Sequence, residues 1–303
     1  SRNFANKLWN ASRFIMMNLP EDYELTGLPE SLTIEDKWIL TRFNDLCKAV
    51  TENLDKFELG IAVSKLYDFI WDVYCDWYIE LTKPRIMAGG ATKESAQAVL
   101  VWVMQGMLKL LHPFMPFITE EIWQALTGGK TPIMLERYPE FDPALDYRAD
   151  ADAFEKVIAA ISAIRNLRTS MNVPPSVKAK VCIETQDQEL FRYCGMFFEK
   201  LAFASGVEVA SGFTMEDAAT AVTDACRIFI PMDELVDKEK ELARLEKERA
   251  AVQKDLDFLG GKLSNQGFLA KAPAKLIEAE QAKLAKAKDK MEKIMQSIAG
   301  LKK

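Results

Sequence analysis

Apolar residues recur along this chain at two different periods. Over 35–56, Trp38, Ile39, Phe43, Leu46, Val50 and Leu54 fall close to every 3.6 residues, which predicts an amphipathic helix. An earlier helix is predicted by Phe4, Leu8, Ala11 and Ile15, which share one face at i, i+4, i+7 and i+11. Further helices are expected over about 60–81, over about 92–112 ending at Pro113, and over about 117–127. Pro113 and Pro116 break the chain between the last two, and Gly128-Gly129 supplies residues suited to a left-handed helix cap. Few stretches alternate polar and apolar positions, so this part reads as a helical bundle.

From about residue 150 the pattern changes. A helix near 151–171 runs into Pro174-Pro175, and residues 177–184 then alternate at period two, as a half-buried strand does. A helix near 187–204 and short strands at Val207–Val209 and Cys226–Ile230 complete a small α+β module. Beyond 232 the spacing becomes three and four. Leu235, Lys238, Leu242, Leu245, Arg249, Val252, Leu256, Leu259 and Leu263 form a heptad seam with two polar interruptions. After the turn signal Ser264-Asn265-Gln266-Gly267 and Pro273, a second seam follows: Ile277, Glu280, Leu284, Ala287, Met291, Ile294, Ile298 and Leu301. Two such seams predict an antiparallel coiled-coil hairpin with arms roughly 42 Å long at 1.5 Å per residue. The expected fold class is mainly α, with a helical bundle over 1–148, a junction module over 149–231 and the hairpin over 232–303.

Charge sharpens this division. The whole chain carries a formal net charge of -6, which by itself argues against nucleic acid as a partner. Residues 232–303, however, hold 16 Lys and Arg against 13 Asp and Glu, leaving the remainder with 23 against 32. A mildly basic arm thus stands on an acidic body, a balance that fits a solvated coiled coil and a polyanion-contacting arm equally well. The single histidine, His112, excludes zinc sites that need two or three histidines. The five cysteines form no Cys-x-x-Cys pair and are expected to be reduced, buried thiols of a cytosolic protein. No apolar run approaches the roughly 20 residues of a membrane span.

Candidate chemistry concentrates in the first helix. Lys7, Asn10, Phe14 and Met17 make a second stripe, offering a cation, an amide and an aromatic ring in line. Those groups suit a phosphate, a base edge and a base face. Composition alone favours the plainer assignment, with Phe14 in the core and Lys7 a surface lysine. The Asn10-Ala11-Ser12 sequon carries no meaning inside a cytosolic helix. Asp68, Asp72, Asp76 and Glu80 form an acidic stripe, expected to pair with arginines of neighbouring helices rather than to hold a divalent metal. His112, between Leu111 and Pro113 at a helix end, reads as structural. Gly128-Gly129-Lys130-Thr131 resembles the tail of a phosphate loop but lacks the earlier glycine, Gln124 standing in its place, and lacks a preceding strand. No paired catalytic carboxylates, serine elbow or dinucleotide glycine pattern stands out.

Several motifs resemble one family. Phe4-Ala5-Asn6-Lys7-Leu8-Trp9-Asn10-Ala11-Ser12-Arg13-Phe14 resembles the start of the anticodon-binding domain of class I valyl-tRNA synthetases. Asp36-Lys37-Trp38-Ile39-Leu40, Cys75-Asp76-Trp77-Tyr78-Ile79-Glu80 and His112-Pro113-Phe114-Met115-Pro116-Phe117-Ile118-Thr119-Glu120-Glu121 continue the likeness in order. Isoleucyl and leucyl enzymes share much of this domain. The stretch Lys262-Leu263-Ser264-Asn265-Gln266-Gly267-Phe268 with Lys271-Ala272-Pro273 is similar to the valyl hairpin turn, and no terminal cysteine zinc cluster of the isoleucyl kind is present.

The resemblance implies a tRNA-binding role. It puts Lys7, Asn10, Phe14, Trp77 and Ile79 at an anticodon pocket, with Phe14 stacking on a base, Lys7 on a phosphate or base edge and Ile79 against a base. It puts Lys254, Phe258, Lys262 and Lys283 on the arm that reaches the tRNA elbow, although the family often has a basic residue where Phe258 stands. It implies valine tRNA and the parent's catalytic and editing domains as partners, a cytoplasmic monomer, no membrane and no metal or cofactor in this portion. ATP and Mg2+ belong to the full-length parent, whose adenylate-forming signatures are missing here. The alternatives are a free-standing tRNA-binding module and a helical protein-interaction scaffold.

Overall fold

The computed structural model describes the backbone of residues 2–215, 217–235, 238–264 and 274–301, and their side chains except those of 238–244, 274–276, 296–297 and 300–301. Helix α1 (Arg2–Met17) buries Phe4, Leu8, Ala11 and Ile15, the predicted face. At about 1.5–3 kcal/mol for each large apolar side chain removed from water, that face holds α1 on the bundle. Helix α2 (Ile34–Asp55) begins at Thr33, whose N–H donates to Asp36 Oδ2 at 3.3 Å. Helices α3 (Leu59–Asp68) and α4 (Ile79–Ala88) are joined by Phe69–Tyr78, which winds as a π-helix. The wider winding shows where the Ile79 N–H donates to Tyr74 O, five residues back. The predicted α-helix over 60–81 is therefore α-helical only at its two ends, and it continues through Pro84 to Ala88. Leu66, Phe69, Ile70, Val73 and Trp77 recur at three and four, so apolar spacing alone does not reveal the wider turn.

Helix α5 (Gly90–Leu111) is buried along most of its length, and α6 (Pro116–Thr127) ends at Gly128, whose φ of 73° is the left-handed cap expected there. Gly106 of α5 lies against the Phe43 ring of α2, where an added Cβ would come within 2.3 Å of Phe43 Cζ. His112 Nδ1 lies 2.7 Å from Thr119 Oγ1, tying the end of α5 to α6, a structural part as its sequence setting suggests.

Helix α7 (Arg148–Ser170) packs on α2 and on a four-stranded sheet of order β2-β1-β4-β3. Strands β1 (Ala179–Thr185) and β2 (Ala204–Ala210) are parallel, connected by α8 (Gln188–Tyr193) and α9 (Gly195–Leu201). Strand β4 (Cys226–Pro231) runs antiparallel to β1 and to β3 (Ala218–Val222). The single helix expected near 187–204 is thus two short ones, separated at Cys194, and β3 is an additional strand. Phe154 of α7 meets Phe197 of α9 edge-on at 5.9 Å between centroids, so both helices contribute to the sheet's apolar cover. One apolar core runs unbroken from Phe4 to Leu235. All five cysteines are buried and unpaired, and burial pushes the Cys47 and Cys75 thiols up to about 12, keeping them protonated.

After the short α10 (Met232–Leu235) come α11 (Lys238–Ser264) and α12 (Ala274–Leu301), which pack on each other as the expected hairpin. Leu245, Val252, Met291, Ile294 and Ile298 form a second, separate apolar cluster. Arg249, placed on the seam by spacing, is exposed. The turn residues Asn265 to Gly267, Pro273 and the side chains of Lys238, Leu242 and Leu301 lie outside the described residues.

Candidate nucleic-acid interface

A buried ion pair sets the position of the helix that carries the candidate surface. Arg85 on α4 donates through Nη1 and Nη2 to both oxygens of Asp36 on α2, at 2.6 and 2.9 Å. Tyr78 Oη adds a bond to Asp36 Oδ1 at 2.6 Å, and Arg85 Nη1 reaches Glu35 Oε1 at 3.2 Å. A buried charge needs such complete pairing to be tolerated at all. Glu35 is less well served: burial first, then the neighbouring Asp36, raises its carboxyl above the usual range, and its Oε2 accepts no hydrogen bond. Asp36 and Tyr78 belong to two of the quoted motifs, so those motifs meet in space through a structural bond.

Above this base, α1 lies along the π segment. Phe4, Tyr67 and Trp71 stack in series at 4.9 and 5.6 Å, and the Lys7 ammonium lies 4.0 Å from the Trp71 ring centre. Lys7 is also ion-paired to Asp76. Two turns on, Phe14 is half-buried, with the Lys83 ammonium 5.6 Å from its ring centre and Lys83 paired to Glu80 at 2.5 Å. From α7, the Arg165 guanidinium sits 5.0 Å from the Trp77 ring, and burial lowers its pKa against the raising effect of Glu80 and Asp76. Cation, ring and carboxylate therefore alternate along one surface.

Of the residues expected at an anticodon pocket, Lys7 and Phe14 lie on this surface, Trp77 is half-buried beneath Arg165, and Asn10 is exposed. Ile79 is buried, with 6% of its surface accessible. The acidic stripe pairs differently from the expectation: Asp76 and Glu80 hold lysines, and Arg165 reaches them only as a neighbouring charge. Trp71, Lys83 and Arg165 were not signalled as site residues. The i, i+3 spacing of Glu80 and Lys83 is a local hint, whereas Arg165 stands far along the chain and has none.

On the hairpin, Lys254 and Phe258 are exposed on α11, Phe258 at 69% and off the seam. Lys262 and Lys283 flank the buried Glu280, at 3.4 and 3.1 Å from its oxygens. Lys290 of α12 pairs with Glu248 of α11 at 2.9 Å, a second bridge across the hairpin.

Cations beside aromatic faces suit the phosphates and unstacked bases of a single-stranded RNA loop. Comparison with known proteins narrows the choice. The model for the anticodon-binding domain of tRNA ligases matches residues 36–183, and that for the valyl-tRNA synthetase tRNA-binding arm matches 237–302. The valine–tRNA ligase of Clostridium acetobutylicum is 44% identical over 311 residues, covering 100% of this chain and 35% of that protein. The corresponding enzyme of Carboxydothermus hydrogenoformans is 43% identical over 94% of this chain and 33% of its own length. That of Bacillus cereus is 38% identical, covering 99% and 35%. The chain carries an anticodon-binding domain of the tRNA-ligase family and a valyl-tRNA synthetase tRNA-binding arm.

It spans about a third of the length of the curated relatives it matches. The valyl assignment comes from the arm, since the bundle match is shared among tRNA ligases. Helix α1, with Lys7, Asn10 and Phe14, lies outside both matched ranges but inside the full-length alignment to a valyl-tRNA synthetase relative. Among the described residues no group of three or more His, Cys, Asp or Glu side chains could hold a metal ion, and no helix is long and apolar enough to cross a membrane.

Proposed function

We propose that this chain is the tRNA-recognition portion of a valine–tRNA ligase. The bundle over 1–148 engages the anticodon of valine tRNA, the module over 149–231 joins it to the arm, and the hairpin over 232–303 reaches the tRNA elbow. Phe14 stacks on an anticodon base, Lys7 takes a phosphate or base edge, and Asn10 and Trp77 border the pocket. Ile79, being buried, meets a base only by its edge and otherwise shapes the floor. Lys254, Phe258, Lys262 and Lys283 face the elbow. ATP-dependent aminoacylation, with its Mg2+, belongs to catalytic and editing domains outside these residues, in a cytoplasmic monomer.

The observation that carries this reading is the alternation of cations and rings where α1 meets the π segment, in a chain whose arm matches a tRNA-binding family. Its test is binding of this chain to a valine tRNA transcript and to the same transcript with an altered anticodon, over a salt series. The valine tRNA binds more tightly, and affinity falls steeply as salt rises. Phe14→Ala costs about 1–3 kcal/mol of binding with the fold retained. Equal affinity for all tRNAs favours a free-standing module, and absence of binding favours a protein-interaction scaffold.

A further inference from the structure

tRNA binding leaves the acidic stripe unexplained, because carboxylates repel phosphate. Two of its members are engaged at the surface itself: Asp76 with Lys7, and Glu80 with Lys83 at 2.5 Å. The same two carboxylates act on Arg165 from a distance. The three cations described for the surface are thus opposed by acids of one helix, which Lys7 and Arg165 face from α1 and α7 and which carries Lys83 itself. Asp68 and Asp72, exposed earlier on the helix, continue the stripe.

We propose that Asp76 and Glu80 are specificity-determining residues of the RNA surface, resting on the tRNA-binding reading above. In the free protein they occupy the lysines that RNA phosphate would take. An RNA loop that settles here must displace them, and each freed carboxylate, stripped of water by the incoming loop, needs a new donor. The amino and imino groups on the Watson–Crick edges of unstacked bases are such donors. A base stacked on the half-buried Phe14 ring brings its edge toward Glu80, whose partner Lys83 borders that ring. A loop with the right edges exchanges ion pairs for phosphate contacts and base hydrogen bonds. A loop without them leaves a dehydrated carboxylate unpaired. The acids therefore discriminate by penalising wrong loops more than by attracting the right one.

The test uses the whole chain with Asp76→Asn and Glu80→Gln, singly and together, and the two tRNA transcripts already named. Both carboxylates are at least one-third exposed, so the isosteric changes leave the fold intact, which melting checks. The double variant should bind the altered-anticodon tRNA about tenfold more tightly, the worth of one unpaired charged acceptor. Valine tRNA should gain less than about threefold, because lost base contacts offset the lost repulsion. The salt slope for the altered tRNA should steepen by roughly 1.4, for two released lysines each meeting a phosphate. Asp68→Asn with Asp72→Asn changes net charge equally and should tighten both RNAs alike. A discrimination ratio unchanged in the Asp76/Glu80 double variant overturns the proposal, as does an equal gain for both RNAs. If the unaltered chain fails to distinguish the two tRNAs, the tRNA reading itself has failed and the filter falls with it.

Discussion

The body and the hairpin use charge in opposite ways. In the body, Asp36, Arg85 and Tyr78 are buried and fully engaged with one another beneath a core running from Phe4 to Leu235. In the hairpin, the described seam is a small cluster of Leu245, Val252, Met291, Ile294 and Ile298 with Leu256 and Ala287 against it, and Glu280 lies between two lysines that remain partly in water. Interior charge in the body fixes one helix against another and depends on an unbroken set of partners. Charge in the hairpin rides on a thin seam where water stays close, so each pair matters less. The difference matters for recognition. A surface that reads bases, as proposed for the bundle, needs atoms held to a fraction of an ångström, and the candidate surface shares its helix with Tyr78 and Arg85 of the buried cluster. An arm that grips phosphates and ribose needs reach and positive charge more than fixed geometry.

The largest effect expected from breaking this contrast follows Asp36→Ala. It removes the bidentate partner of the buried Arg85 guanidinium, leaving Glu35 beside it, and should cost about 3 kcal/mol of stability. All six tryptophans precede residue 124, so their fluorescence in a urea titration reports the body, while far-ultraviolet dichroism includes the hairpin helices. The fluorescence midpoint should fall, with a residual dichroism transition from α11 and α12 left in place. Next comes Ile294→Ala, which removes a seam contact and should cost the hairpin about 2 kcal/mol, the low end for an aliphatic deletion because the seam is thin. That change should move the dichroism transition and leave the fluorescence midpoint alone. A common shift of both signals in either variant would show one cooperative unit and dissolve the comparison.

The same contrast explains how much could be read in advance. Helices with one apolar face were visible from spacing, because Phe4, Leu8 and Ile15, or Trp38, Phe43 and Val50, have to face the same way. The seams of the hairpin were visible for the same reason, apart from Arg249, which spacing places inside and solvation keeps outside. Strand β3 was hidden because Ala218-Ala219-Thr220-Ala221-Val222 has too little contrast in side-chain size and polarity to show alternation. The π segment was hidden because Leu66, Phe69, Ile70, Val73 and Trp77 suit a wide turn as well as a normal one. At the candidate surface, Lys7 and Phe14 were legible as a stripe within one helix. Their neighbours Trp71, Lys83 and Arg165 were not, since helices distant in sequence bring them there and nothing local marks the meeting.

The smallest effect tests the hairpin's side of the contrast through pH. The hydrogen bond from Lys283, helped by the charge of Lys262, holds the Glu280 carboxyl below its usual range, outweighing partial dehydration. A lowered pKa in the folded state means the carboxylate stabilises the hairpin at pH values above the ordinary carboxylate range. That stabilisation is lost as pH falls through the lowered folded value. The hairpin transition should therefore drop on acidification from pH 6 toward pH 3, beyond whatever the remaining acids contribute. Glu280→Gln keeps the shape and loses the titration, so its hairpin transition should lie below that of the unaltered chain at pH 7 and converge with it near pH 3. The tryptophan midpoint should be the same for both proteins across that range. A gap between the two hairpin transitions that stays constant with pH would mean that Glu280 contributes packing alone.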